Sequence, residues 1–213
     1  MIQLNQRSNL HWVSALFLSL FLFIPKAQAL DVSLIAPITY SGYSVAEGAP
    51  STSSSNRLGG GVGVTLGLGL IPFFSFETGL LNITHSFVNS ISVSSANITV
   101  NQSYTYNYWQ VPFLIRFTPI SQFSVQAGAY YSKASRVSTE SSHPIVLQVN
   151  QPGLADDFGL LAGVGYRAKL SPFVKFRADL MYEYGLKKLP ASVGTTLNTR
   201  SVDLWLGIMF DLI

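Results

Sequence analysis

From Phe173 to Leu186 the chain reads FVKFRADLMYEYGL. Val174, Phe176, Ala178, Leu180, Tyr182, Tyr184 and Leu186 alternate with Lys175, Arg177, Asp179, Met181, Glu183 and Gly185. A period of two belongs to a β-strand with two unlike faces. Wound as a helix, the same apolar residues would be spread around the circumference, leaving no stripe to bury. Function turns on which face meets what. A soluble sheet turns its charges outward, whereas a membrane barrel turns them inward.

Seven further segments carry the alternation. The first sets Leu30, Val32, Leu34, Ala36, Ile38 and Tyr40 against Asp31, Ser33 and Thr39; the second sets Val62, Val64, Leu66 and Leu68 against Gly61, Gly63, Thr65 and Gly67. The third has Phe74, Phe76 and Leu80 opposite Ser75, Glu77 and Gly79, and it blurs after Leu81. The fourth sets Trp109, Val111, Phe113, Ile115 and Phe117 against Tyr108, Gln110, Pro112 and Arg116, and the fifth runs from Phe123 to Tyr131. The sixth spans Asp157 to Lys169, the opening stretch is the seventh, and the eighth runs from Ser201 to Leu212.

The connections alternate in kind. Three are short and carry proline, at Leu70–Pro72, Thr118–Ser121 and Ser171–Pro172. Four are long and polar: Ser41–Leu58, Val88–Ser103, Lys133–Asp156 and Lys187–Thr199. Short turns on one side and long loops on the other are the asymmetry of an outer-membrane barrel, with turns in the periplasm and loops outside. The expected fold is therefore all-β: an eight-stranded antiparallel up-and-down transmembrane β-barrel.

Charge and aromatic placement agree. Charged residues are 11% of the chain, against about 25% in average soluble proteins. The apolar strand faces carry none, with Lys133 a borderline case at a strand end. The opposite faces carry Glu77, Arg116, Arg167, Lys169, Lys175, Arg177, Asp179, Glu183 and Asp203 among many glycines. Arg or Lys on the lipid face would cost about 2–4 kcal/mol at the midplane. A soluble lipocalin-like barrel would instead carry a water-facing side rich in Lys, Glu and Asp. Phe73, Phe117, Phe123 and Phe173 border the short turns, and Tyr104, Tyr106, Tyr108, Tyr130, Tyr131, Tyr182 and Tyr184 gather toward the long loops. Both sets are expected to form interfacial girdles.

The N-terminus carries Arg7, an apolar run from Trp12 to Ile24, and then Ala27-Gln28-Ala29. This reads as a signal peptide over residues 1–29, with the barrel domain over 30–213. The apolar run is shorter than the roughly 20 residues of a spanning helix. Without Arg7 and Lys26 the basic count falls from 13 to 11, against 10 acids. Nothing in that balance, and no basic run with interleaved aromatics, recommends nucleic acid. Cysteine is absent, which excludes disulfides, thiolate metal sites and lipid attachment at a cysteine.

YWQVPFLIRF (Tyr108–Phe117), DFGLLAGVGYRAKL (Asp157–Leu170) and FRADLMYEYGL (Phe176–Leu186) resemble the porin-like outer-membrane β-barrel proteins with small eight-stranded barrels. The resemblance covers most of the barrel domain and rests on loose strand patterns. It implies an integral outer-membrane protein in a family whose members mostly lack known chemistry. Such chains usually finish on an aromatic residue recognised by the assembly machinery; this one finishes Phe210-Asp211-Leu212-Ile213.

Candidate chemistry is sparse. Gly163, Gly165 and Ala168 fit G-x-G-x-x-A, yet the strand alternation continues through them, where a dinucleotide site needs a strand to end and a helix to begin. A lipid-modifying enzyme needs a His with a Ser and a carboxylate. His85 and Ser86 are neighbours on a strand and point to opposite faces, while His143 lies in a long loop. No catalytic, cofactor or metal residues are expected; Glu140, Asp156 and Asp157 are too few for a calcium site. The inward charges read as a salt-bridged plug, or alternatively as the lining of a narrow pore for ions or small solutes. The expected protein is non-enzymatic, structural or surface-contacting through polar loops such as Ser51–Asn56 and Ile91–Ser103. It is expected to be monomeric, with outer-membrane lipids, periplasmic chaperones, the barrel assembly machinery and a surface ligand at its loops as partners.

Overall fold

The computed structural model describes residues 29–45, 52–93, 98–141, 156–187, 189–190 and 196–212. All but the last residue of the expected signal peptide, and His143, lie outside them. The strands are β1 (Ala29–Val45), β2 (Thr52–Ile71), β3 (Phe74–Val93), β4 (Ile98–Ile120), β5 (Phe123–Ser141), β6 (Asp157–Lys169), β7 (Val174–Gly185), a two-residue β8 (Leu189–Pro190) and β9 (Thr196–Asp211). Each of the eight long strands pairs antiparallel with its neighbours in the order β1-β2-β3-β4-β5-β6-β7-β9. Pairing of β1 with β9, from Asp31↔Asp211 to Val45↔Leu197, closes the barrel. Closure removes the sheet edges that lipid cannot satisfy.

The alternation is realised with its apolar side outward. Leu34, Val62, Val64, Leu80, Phe113, Ile115, Val125, Leu160, Val164 and Leu180 are all exposed, while Glu77, Arg116, Arg177, Asp179, Glu183 and Asp203 are buried inside. A continuous apolar band around the whole barrel far exceeds the patches that soluble monomers expose. The lipocalin-like arrangement, with its apolar face inside, is the reverse of this. On β4 the outward apolar row runs from Phe117 to Trp109, matching the 9–11 residues of a membrane-crossing strand. Lys133 pairs in register with Trp109, and the guanidinium of Arg200 stands over the Tyr184 ring at 5.6 Å. Together they mark the upper edge of the belt.

Two expectations need correction. Much of the long-loop sequence is strand: β4 has 23 residues and β3 has 20, about twice what the bilayer requires. β6 and β7 have only 13 and 12. The barrel therefore carries a raised wall built from β2 to β5. The apparent blur after Leu81 is an inversion of polarity: beyond the belt the outward positions become Asn82, Thr84 and Ser86, and the inward ones become Ile83, His85 and Phe87. Period two persists, but water has replaced lipid on the outside.

The second correction concerns the upper girdle. Tyr104, Tyr106, Tyr108 and Tyr130 point inward and are buried. On β4 these tyrosines have the opposite parity to the outward Trp109, so they cannot share its face. Tyr131 and Tyr182 do face outward, as do Phe73, Phe117, Phe123 and Phe173 at the short-turn end.

Candidate functional site

An eight-stranded barrel leaves an interior just wide enough for side chains to fill it, and here the filling is layered. Nearest the short turns lies an ionic layer. Arg177, fully buried, pairs with Glu77 at 2.6 Å and with Asp179. Its Nη1 also donates to Thr65 Oγ1 at 3.0 Å and Ser33 Oγ at 3.3 Å. Arg116 pairs with Glu77, and Arg167 with Asp179 at 3.4 Å. Three guanidiniums thus share two carboxylates. Gly165 makes the room for them, because a Cβ there would fall on the Asp179 carboxylate, with Ser124 Oγ and Arg167 Nη1 also in the way.

Above it lies an apolar layer of Ile35, Leu81, Ile83, Leu114, Leu161, Met181 and Trp205, each at most 4% exposed. The register produces it: Met181 follows Asp179 on the inward row of β7, and Trp205 faces Asp179 on β9. Next comes a carboxylate layer. Gln110 Nε2 donates to Glu183 Oε2 at 3.1 Å, and Ser132 Oγ donates to Gln110 Oε1 at 3.0 Å. Asp157 accepts from Thr199 Oγ1 at 2.7 Å and Tyr130 Oη at 3.0 Å. Asp203 is fully buried beside the Glu183 carboxylate and the Ser201 hydroxyl, and its oxygens have no hydrogen-bond partner. No Arg or Lys pairs with Glu183 or Asp203 among the described residues.

The expected pairing of all nine charges in one plug is therefore revised. Glu77, Arg116, Arg167, Arg177 and Asp179 come together; Glu183 and Asp203 sit one layer higher without cations. Lys175 is part-exposed at the short-turn mouth and pairs with Asp211 at 2.7 Å, and Lys169 is exposed beside it. Both lysines are on the inward row, but so close to the turn that they reach water.

The raised wall adds a fourth layer that the sequence reading missed. Phe87 stacks on Tyr104 at 4.9 Å and on Tyr106 at 6.0 Å, and Tyr106 stacks on Tyr108 at 5.9 Å. Ala134 and Val137 pack against this ladder. The His85 ring meets Tyr108 edge-on at 5.7 Å. The available signal was the i, i+2 spacing of Tyr104, Tyr106 and Tyr108 at inward parity.

Ser41 was also missed: its Oγ lies 2.7 Å from His85 Nδ1. The glycines Gly59, Gly60 and Gly61 of β2 leave no side chains between β1 and β3, so that Thr39 Oγ1 reaches Thr84 O at 2.9 Å and Ser41 follows alongside. Ser86, as expected, is on the other face, with its Oγ 3.2 Å from Thr105 Oγ1. No hydrogen bond joins His85 to a carboxylate among the described residues. The G-x-G-x-x-A string lies within β6, which runs unbroken through Gly163, Gly165 and Ala168. No cluster of three or more metal-ligating side chains occurs among the described residues.

No family model and no curated protein matches the chain. Solved structures do match it. The outer membrane protein OprG from Pseudomonas aeruginosa superposes with a TM-score of 0.53 at 13% identity, covering 88% of this chain and 97% of OprG. The outer membrane protein AlkL, determined in DMPC lipid bilayers, superposes at 0.51 with 14% identity, covering 86% of this chain and 90% of its own. The chain shares the fold of these outer-membrane barrels.

Proposed function

We propose that this protein is an integral outer-membrane barrel that neither catalyses nor conducts. In this reading its lumen is a structural plug, and its raised β2–β5 wall makes surface contacts outside the cell. One observation carries the reading: the apolar layer, with Leu81, Ile83, Leu114, Leu161, Met181 and Trp205 at 0–1% exposure, separates the two charged layers. An ion moving between them would shed its hydration with little to replace it beyond Gln126, whose Nε2 donates to Met181 Sδ at 2.9 Å, which costs several kcal/mol. Among the described residues no hydrogen bond joins the Ser41–His85 pair to a carboxylate, the third group a hydrolytic triad needs. Its partners in this reading are outer-membrane lipids, the periplasmic chaperones and assembly machinery that deliver it, and a surface ligand at the wall.

Planar-bilayer recording of the refolded barrel tests the plug. The wild type is expected to give no conductance steps, and Trp205→Ala with Met181→Ala is expected to introduce them. Steps in the wild type that vanish on replacing Arg177 and Glu183 would establish the narrow pore instead.

A further inference from the structure

Where β5 leaves the belt it carries a β-bulge. Lys133 pairs with Trp109, Ala134 with Tyr108 and Arg136 with Asn107, so Ser135 is the extra residue, and its Oγ donates to the Asn107 carbonyl at 3.0 Å. A bulge re-aims the side chains that follow it. Were Ser135 to take the place opposite Asn107, Arg136 would fall on the inward row among the tyrosines. With the bulge, Ala134 and Val137 pack on the ladder inside. Lys133 and Arg136, three residues apart, then both stand exposed on the outward face.

The neighbouring strand adds a third donor. Thr84 Oγ1 donates to Asn107 Oδ1 at 2.6 Å, which leaves the Asn107 amide nitrogen as a donor beside Arg136. β4 contains no Asp or Glu, and the one acid of β3, Glu77, is buried near the short turns. The carboxylates on this side are Asp156, which accepts from Tyr131 Oη at 2.9 Å, and Glu140, four residues beyond Arg136 and so about 13 Å further along the strand. Neither forms an ion pair with Lys133 or Arg136 among the described residues. Lys133 is level with Trp109, the last outward apolar residue of β4, so these donors begin where the lipid belt ends. The opposite edge of the belt has nothing like them: its outward residues, Leu70, Ile71, Phe73, Phe123, Leu170 and Phe173, are exposed and apolar.

We propose that Lys133, Arg136 and Asn107 bind the phosphate of an anionic lipid in the outer leaflet, whose acyl chains lie on the belt below Trp109. Two unpaired cations and an amide donor match the oxygens of a phosphate. A headgroup that also carries an ammonium would bring a like charge up to both cations. The long-loop end of a barrel faces the outer leaflet, and a lipid seated against Trp109 and Tyr131 carries its headgroup to this height. The proposal rests on the reading of outer-membrane lipids as partners and not on the plug, so conductance steps in the wild type would leave it standing.

The test is native mass spectrometry of the full barrel, refolded in detergent and checked by its gel mobility before and after boiling. The probes are phosphatidylglycerol and phosphatidylcholine with the same short chains, which differ in net charge but share the phosphate. Each Lys or Arg beside an anionic lipid contributes about fivefold, so the wild type is expected to prefer phosphatidylglycerol by about 25-fold. Lys133→Gln and Arg136→Gln are each expected to cut that preference to about fivefold, and the double variant to erase it. Lys169→Gln with Lys175→Gln, at the short-turn mouth, is expected to leave it in place. Equal retention of the two lipids by the wild type overturns the proposal. So does a preference that survives in the folded Lys133→Gln, Arg136→Gln double variant, or one lost to the same extent in the short-turn pair. Should the double variant not fold, the wild type and the single variants still decide.

Discussion

Two fully buried aspartates on adjoining strands predict opposite responses to the same substitution. Asp179 lies between Arg177 and Arg167, whereas Asp203 has no cation among the described residues and no hydrogen bond. Converting Asp179 to Asn keeps the shape but removes the charge that two buried guanidiniums share. Breaking a buried pair by removing one partner costs about 3–5 kcal/mol. Converting Asp203 to Asn instead replaces a buried carboxyl that has no cation and no hydrogen bond to lose, so the expected change is under about 1 kcal/mol in cost or a net gain. Reversible urea unfolding of the barrel in lipid vesicles, followed by gel mobility, separates the two. With a slope of about 2 kcal/mol/M, Asp179→Asn should lower the midpoint by about 1.5–2.5 M. Asp203→Asn should leave it nearly in place or raise it. Equal losses in the two variants would refute the separation of the charges into a paired and an unpaired layer.

Other consequences follow from the same layers. Gly165→Ala should destabilise by about 1–3 kcal/mol through overpacking at the Asp179 carboxylate, read in the same urea titration. Trp205→Ala removes the largest side chain of the apolar layer and should cost about 3–5 kcal/mol; a loss under about 1 kcal/mol would mean that the layer is not packed. Tyr106→Ala should speed amide exchange along β3, β4 and β5 above the belt while leaving the membrane-level strands protected, because the ladder and the ionic layer lie in separate clusters. Exchange that accelerates throughout the barrel would contradict that separation.

Most of the barrel was legible because lipid imposes one rule on every strand at membrane depth. The outward rows of β1, β6 and β9 could be read directly: Val32 to Tyr40, Phe158 to Ala168 and Val202 to Phe210 are apolar at every outward step. The wall was not legible because that rule stops at Trp109. Beyond it, Asn107 and Thr105 face out and Tyr106 and Tyr104 face in, a pattern that resembles a polar loop with scattered aromatics unless parity is carried forward from Trp109. The Ser41–His85 contact was hidden for another reason. It depends on β1 reaching β3 across the glycines of β2, a tertiary approach that no periodicity within one strand reveals. Lys169 and Lys175 were assigned the right face, but their depth depends on where each strand ends, which alternation alone does not specify.

The ordering of the layers also bears on the proposed plug, because the inward faces carry so many charges. A lumen lined continuously by mixed charges would hold water and pass ions. Here the inward row of β7 places Met181 between Asp179 and Glu183, and that of β9 places Trp205 next to Asp203, so each strand interrupts its own polar path at one height. The interruption works only because neighbouring strands supply Leu161, Leu114 and Leu81 to the same cluster. Shifting β7 by two residues in either direction would preserve every face assignment and bring Asp179 or Glu183 into the layer. The register, including the closing pairs Trp205 with Pro37 and Asp203 with Thr39, is thus as decisive for the proposed plug as the identity of the residues.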